Sequence, residues 1–91
     1  MIPQEYIQEV VARNDITDVI GSYVQLRHRG RTHTGLCPFH SEKTPSFVVY
    51  PETQSYYCFG CGAGGDVITF IRTMNNLGYV EAVKFLAARA G

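Results

Sequence analysis

Cysteine is scarce in this 91-residue chain, with three in all, so a disulfide framework would leave one thiol over. A secretory leader and a membrane-length apolar run are both missing, because charge interrupts every hydrophobic stretch. These absences favour a cytoplasmic setting without membrane contact, in which cysteines serve metal or redox chemistry. Neither sign of charge dominates: eight Lys and Arg balance eight Asp and Glu. Taken alone, that balance argues against nucleic acid. Linkers, low-complexity segments and long-period repeats are also lacking, so residues 1–91 read as a single domain. No histidine, carboxylate or serine constellation stands apart from the cysteines, which leaves a free-standing enzyme without parts and gives no catalytic candidate. At this length and 45% apolar content, one modest core is within reach, and a staple would help it.

What is present supplies that staple. Cys37 and His40 form a C-x2-H hook, and after seventeen residues Cys58 and Cys61 form a C-x2-C hook. Two intervening residues let each hook turn both side chains onto one ion, and the span between them is long enough for a hairpin. Three thiolates and one imidazole make a closed tetrahedral zinc site with no position for water or substrate, and so a structural one. A thioredoxin-like role for Cys58 and Cys61 would leave Cys37-Pro38-Phe39-His40 without a purpose. His33 competes with His40 for the fourth position, but no tight turn aims it at the first hook. Phe39 and Phe59, inside the hooks, read as shields for the metal.

Charge is distributed unevenly. Residues 1–26 carry Arg13 against Glu5, Glu9, Asp15 and Asp18, a net of −3. Residues 27–43 carry Arg27, Arg29, Arg31 and Lys43 against Glu42, a net of +3. A positive field therefore belongs to one hairpin.

Periodicity predicts an amphipathic helix over 3–13, with Pro3 in its first turn and Tyr6, Ile7, Val10 and Val11 on one side. Asp15 caps a short helix ended by Gly21. From Tyr23 the period changes to two, which predicts a strand to Arg29, a turn at Gly30 and a second strand over 32–36. Residues 46–50 and 55–58 read as a hairpin around the Pro51–Gln54 turn. Asp66 caps a helix bearing Val67, Ile68, Phe70, Ile71 and Met74, broken at Asn75, Asn76 and Gly78. A last helix over 79–90 uses Tyr79, Val83, Leu86 and Ala90. The expected fold class is a small zinc-ribbon α+β domain: an antiparallel sheet with a Cys3His zinc site, flanked by helices at both termini, its zinc core over 37–61.

Gly60, Gly62 and Gly65 spell G-x-G-x-x-G, but a second helix follows where a dinucleotide site needs a parallel strand, and Cys61 inside the loop is committed to zinc. The glycines are better explained by a backbone that wraps the metal hook and swings into the helix at Asp66.

Gly35-Leu36-Cys37-Pro38-Phe39-His40, Glu42-Lys43-Thr44-Pro45-Ser46-Phe47 and Tyr57-Cys58-Phe59-Gly60-Cys61-Gly62-Ala63-Gly64-Gly65-Asp66 together resemble the amino-terminal zinc-binding domain of bacterial DNA primase. Ile2-Pro3, Asp18-Val19-Ile20 and Glu81-Ala82-Val83 extend the resemblance over the whole chain. It implies a zinc-dependent domain that binds single-stranded DNA template and helps select where RNA primers start in DNA replication. It further implies a polymerase domain, the nucleotidyltransferase proper, in a following segment, and a replicative helicase bound to a third as part of a primosome. The chain would then be the amino-terminal part of a longer primase. Thr53 and Tyr57 stand where lysine and histidine are frequent in that family, which weakens a phosphate contact at the Pro51–Gln54 turn and leaves Tyr57 a stacking face without a titrating group. Independently of the resemblance, arginines and aromatics on one sheet face suit a single-strand binder. Arg27, Arg29, Arg31, Lys43, Tyr50, Tyr56 and Tyr57 are the candidates, with at most one of Tyr56 and Tyr57 facing DNA because adjacent strand residues point oppositely. The rival reading is a zinc ribbon used for protein contact in a replication or transcription assembly.

Overall fold

The computed structural model describes residues 2–41 and 43–91. Helices α1 (Gln4–Ala12) and α2 (Ile16–Gly21) lead into strands β1 (Arg27–Arg29), β2 (Thr32–Gly35), β3 (Phe47–Tyr50), β4 (Ser55–Cys58) and β5 (Gly64–Gly65). Helices α3 (Val67–Asn75) and α4 (Tyr79–Ala90) follow. The strands form one five-stranded antiparallel meander in the order β1-β2-β3-β4-β5. The expected fold class therefore stands. Glu42 lies outside the described residues.

Local chemistry explains the helix limits. The Asp15 carboxylate accepts from the Thr17 and Asp18 N–H groups at the start of α2, and Asp66 accepts from Thr69 N–H at the start of α3. Asn76 ends α3 in the left-handed conformation, φ 54°, which asparagine tolerates better than most residues. Several boundaries shift by a residue or more from those expected, and two of the shifts have local causes. Gly21 lies inside α2, and Ser22 caps it. The strand expected from Tyr23 begins only at Arg27, because Val24 N–H still donates to the Ile20 carbonyl at 2.8 Å and holds the chain in the helix exit.

Period-two alternation in the sheet separates two faces. Phe47, Val49, Tyr56 and Cys58 are buried on one, against Ile20 of α2, Phe70 and Ile71 of α3, and Val83 and Leu86 of α4 within a single core. Phe39, Phe47, Tyr56 and Phe70 form an aromatic cluster with ring centroids 5.4 to 6.3 Å apart. Burying a side chain such as Phe70 contributes about 1.5–3 kcal/mol. Tyr6 and Tyr79, expected on the inner faces of their helices, are exposed instead. The phenol of Tyr79 lies under the Arg72 guanidinium, 6.0 Å from the ring centroid.

Buried Asn14 ties the two ends of the helical layer together. Its Nδ2 donates to the carbonyls of Val10 at 2.8 Å and Leu86 at 3.0 Å, while its Oδ1 accepts from Arg89 at 3.3 Å. Among the described residues no helix is long and apolar enough to cross a membrane.

Candidate metal centre

The first hook leaves β2 and the second leaves β4, so the meander brings both to one end of the sheet. There the ligand atoms of Cys37, His40, Cys58 and Cys61 lie within 4.8 Å of one another, the one such cluster among the described residues. Cys37 Sγ and Cys61 Sγ are 3.8 Å apart. Tetrahedral zinc with sulfurs at about 2.3 Å would separate two of them by about 3.8 Å, so the geometry fits that ion and is far from a disulfide. His40 presents Nδ1 at 3.9 Å from Cys58 Sγ. His33, the rival ligand, stacks on His28 across the β1–β2 pair with centroids 4.8 Å apart, and is not in the cluster.

Each hook is preorganised by its own backbone. Phe39 N–H donates to Cys37 Sγ at 3.4 Å, and Gly60 N–H donates to Cys58 Sγ at 3.3 Å. A Cβ at Gly60 would lie 2.9 Å from both His40 Nε2 and Ser46 Oγ, so only glycine lets the second hook close over the first. The Phe39 ring inserts into the core cluster and anchors the first hook there. It is therefore a core residue rather than a shield over the metal. Phe59 departs further from the shield reading. It is 67% exposed and meets the Tyr57 ring edge-to-face at 4.9 Å.

Electrostatics distinguish the thiols. Burial pushes Cys37 up to about 12, with hydrogen bonds to Cys58 and Cys61 adding to the rise and the Phe39 N–H only partly offsetting it. Burial would raise Cys58 as well, but the N–H groups of Cys61 and Gly60, the Ser46 hydroxyl and the Cys37 thiol outweigh it and bring Cys58 down to about 7. The second hook's backbone donors and Ser46 thus favour the thiolate form of Cys58.

The sheet face opposite the core gathers several of the proposed contacts. Arg27 pairs with Thr34, Thr34 with Val48, and Val48 with Tyr57. These four residues form one cross-strand row, and directly paired residues share a face. Arg29 and Tyr50 lie two positions along their strands from Arg27 and Val48 and so point the same way. Tyr56 points into the core and is removed from the candidates, whereas Tyr57 is 42% exposed. Arg31 lies in the β1–β2 turn and pairs with Glu52 at 3.5 Å, with both side chains largely exposed. Lys43 is exposed in the loop before β3. The ring of Phe59, expected from its place between two ligands to cover the metal, faces outward instead.

A family model described as the CHC2 zinc finger matches residues 2–91. A DNA primase of Geobacillus stearothermophilus is 57% identical over 90 residues, covering 99% of this chain and 15% of that protein. A DNA primase of Halalkalibacterium halodurans is 57% identical over 89 residues, covering 98% of this chain and 15% of that protein. Among solved structures, the zinc-binding and RNA polymerase domains of Aquifex aeolicus primase superpose with a TM-score of 0.89 at 44% identity, covering 94% of this chain and 21% of that one. The chain thus spans about one seventh of the length of the curated relatives it matches. Donor chemistry, ligand spacing and likeness agree on one structural zinc ion. The chain belongs to the CHC2 zinc finger family, the zinc-binding domain of DNA primases.

Proposed function

We propose that this domain binds single-stranded DNA template and helps choose where an RNA primer begins, working beside a polymerase domain in the same or a neighbouring molecule. Cys37, His40, Cys58 and Cys61 hold the zinc, which supplies no reacting group and instead fixes one end of the sheet. The observation that carries this reading is the row Arg27–Thr34–Val48–Tyr57, which sets a cation and an aromatic ring on the solvent face of one rigid sheet. Bases stack on rings while guanidiniums follow phosphates, a sequence-tolerant mode in which each stacked base contributes about 1–3 kcal/mol. Arg27, Arg29 and Tyr57 form the centre of the contact. Lys43 and Arg31 extend it, although Arg31 must first exchange its ion pair with Glu52, at small cost because both groups are solvated. A weak single-strand contact becomes effective when tethered, because a linker supplies a high local concentration. Such a domain would act at cytoplasmic replication forks, and contact with a replicative helicase would come through other parts of a longer protein.

Binding of thymine-containing oligonucleotides over a salt series tests this. Arg27→Gln with Arg29→Gln should weaken binding and reduce the slope of log K against log salt by about 1.4, since each lost phosphate contact on a single strand removes roughly 0.7. Thermal stability should change little, because both side chains are exposed. No binding even at low salt would move the assignment to the protein-contact alternative.

A further inference from the structure

Beside the arginine row the sheet is not flat. A groove of about 820 Å³ runs along the β1–β2 end of the outer face. Its walls include Tyr23, Leu36, Pro38 and Pro45, and Arg27 and Arg29 line the side toward the sheet. Leu36 is 48% exposed, unusually open for a leucine next to a buried cysteine. The groove is built by two constraints. At Gly35 a Cβ would come within 2.7 Å of the Gln25 carbonyl, so glycine lets the Val24–Leu26 segment press against β2 and form the floor. The opposite wall uses Pro38, inside the first zinc hook, and Pro45, two residues before β3. Its shape is therefore tied to the metal centre.

The lining combines apolar side chains with the uncharged polar Gln25 and Thr34 and two guanidiniums, and no carboxylate among the described residues lines it. A flat, uncharged ring joined to an anionic backbone matches that combination. We infer that the groove receives one unstacked base of the template strand, with Arg27 and Arg29 on its flanking phosphates; this rests on the single-strand reading above and adds a discrete subsite to it. Bases splayed from a single strand are read in this way, inserted among apolar and aromatic side chains while the backbone is held by cations. The strand would run from the groove across Val48 toward Tyr57 and Phe59, so one base is enclosed and later ones stack in the open. An enclosed base is the one whose identity the domain can sense, and the exposed rings are tolerant.

The test is an abasic scan. The zinc-loaded chain is titrated against a set of short oligonucleotides in which a single missing base is moved along the strand. Removal at one position should weaken binding on the order of tenfold, with smaller effects elsewhere. Leu36→Ala should weaken the intact oligonucleotide by a similar factor and abolish sensitivity to that abasic position, whereas Leu36→Met should retain both. Zinc content reports whether each variant is folded, and if Leu36→Ala loses metal, Pro45→Ala on the same groove provides the same comparison. A flat abasic scan, or full sensitivity retained in the folded groove variants, overturns the subsite. If Arg27→Gln with Arg29→Gln still lowers the salt slope in that case, the sheet remains the binding face. Absence of any oligonucleotide binding sinks the single-strand reading and the subsite with it.

Discussion

Cys37 and Cys58 lie in one cluster yet hold their protons very differently, and the difference is readable in metal binding. Cys58, lowered to about 7, is largely thiolate near pH 8, whereas Cys37, raised to about 12, keeps its proton there. From these two thiols, zinc uptake should expel about one proton near pH 8, and about two near pH 6 where Cys58 is protonated as well. Because the folded Cys58 thiolate is favoured above about 7 and lost below it, zinc affinity should fall more steeply with decreasing pH below that value than above it. Calorimetry in buffers of differing ionisation enthalpy measures the proton count, and a pH-independent count would refute this account of the thiols. The four clustered residues were legible in the sequence because chelation imposes spacing. The directions of Phe39 and Phe59 were not, because a two-residue hook says nothing about which intervening side chain meets the core.

At the scale of elements, capping and periodicity carried most of the reading. Asp15 and Asp66 marked helix starts, and α4 runs over the expected residues. The failures have physical causes. β5 consists of Gly64 and Gly65, which have no side chains to alternate, and backbone pairing with Tyr57 and Tyr56 alone makes it a strand. The shortened β1 reflects a helix exit that competes with strand pairing for the same backbone. Asn14 gave no signal at all, although it is fully buried and joins α1 to α4. Replacing it with Ala removes two donors from buried carbonyls and should cost about 1–3 kcal/mol. For a domain of this size each kcal/mol lowers the melting temperature by about 4–8 °C. Zinc stoichiometry should be unchanged, since the clasp lies in the helical layer. A calorimetric scan with metal analysis checks both, and an unshifted melting temperature would mean the clasp is replaced by water.

For the whole molecule, the zinc ties the ends of β2 and β4 to one point, so losing it should unpin the sheet that presents Arg27, Arg29 and Tyr57. Chelation, or Cys58→Ser, should reduce strand content and oligonucleotide affinity together while the helices lose less signal. Circular dichroism and anisotropy followed through one chelator titration test this, and a sheet that survives metal removal would contradict it. The meander also has a consequence for how the chain is made. Each strand pairs with the one synthesised just before it, so pairing can follow translation with little waiting. The metal cannot: His40 emerges 21 residues ahead of Cys61. At ribosomal speeds of about 5–20 residues per second, that gap lasts roughly 1–4 s. Until Cys58 emerges, three residues before Cys61, a lone Cys–His pair offers any passing ion only half a coordination shell. Secure capture thus waits for Cys61, after the β3–β4 hairpin has formed, and a nascent chain stalled before that residue would be a zinc finger that cannot yet keep its zinc.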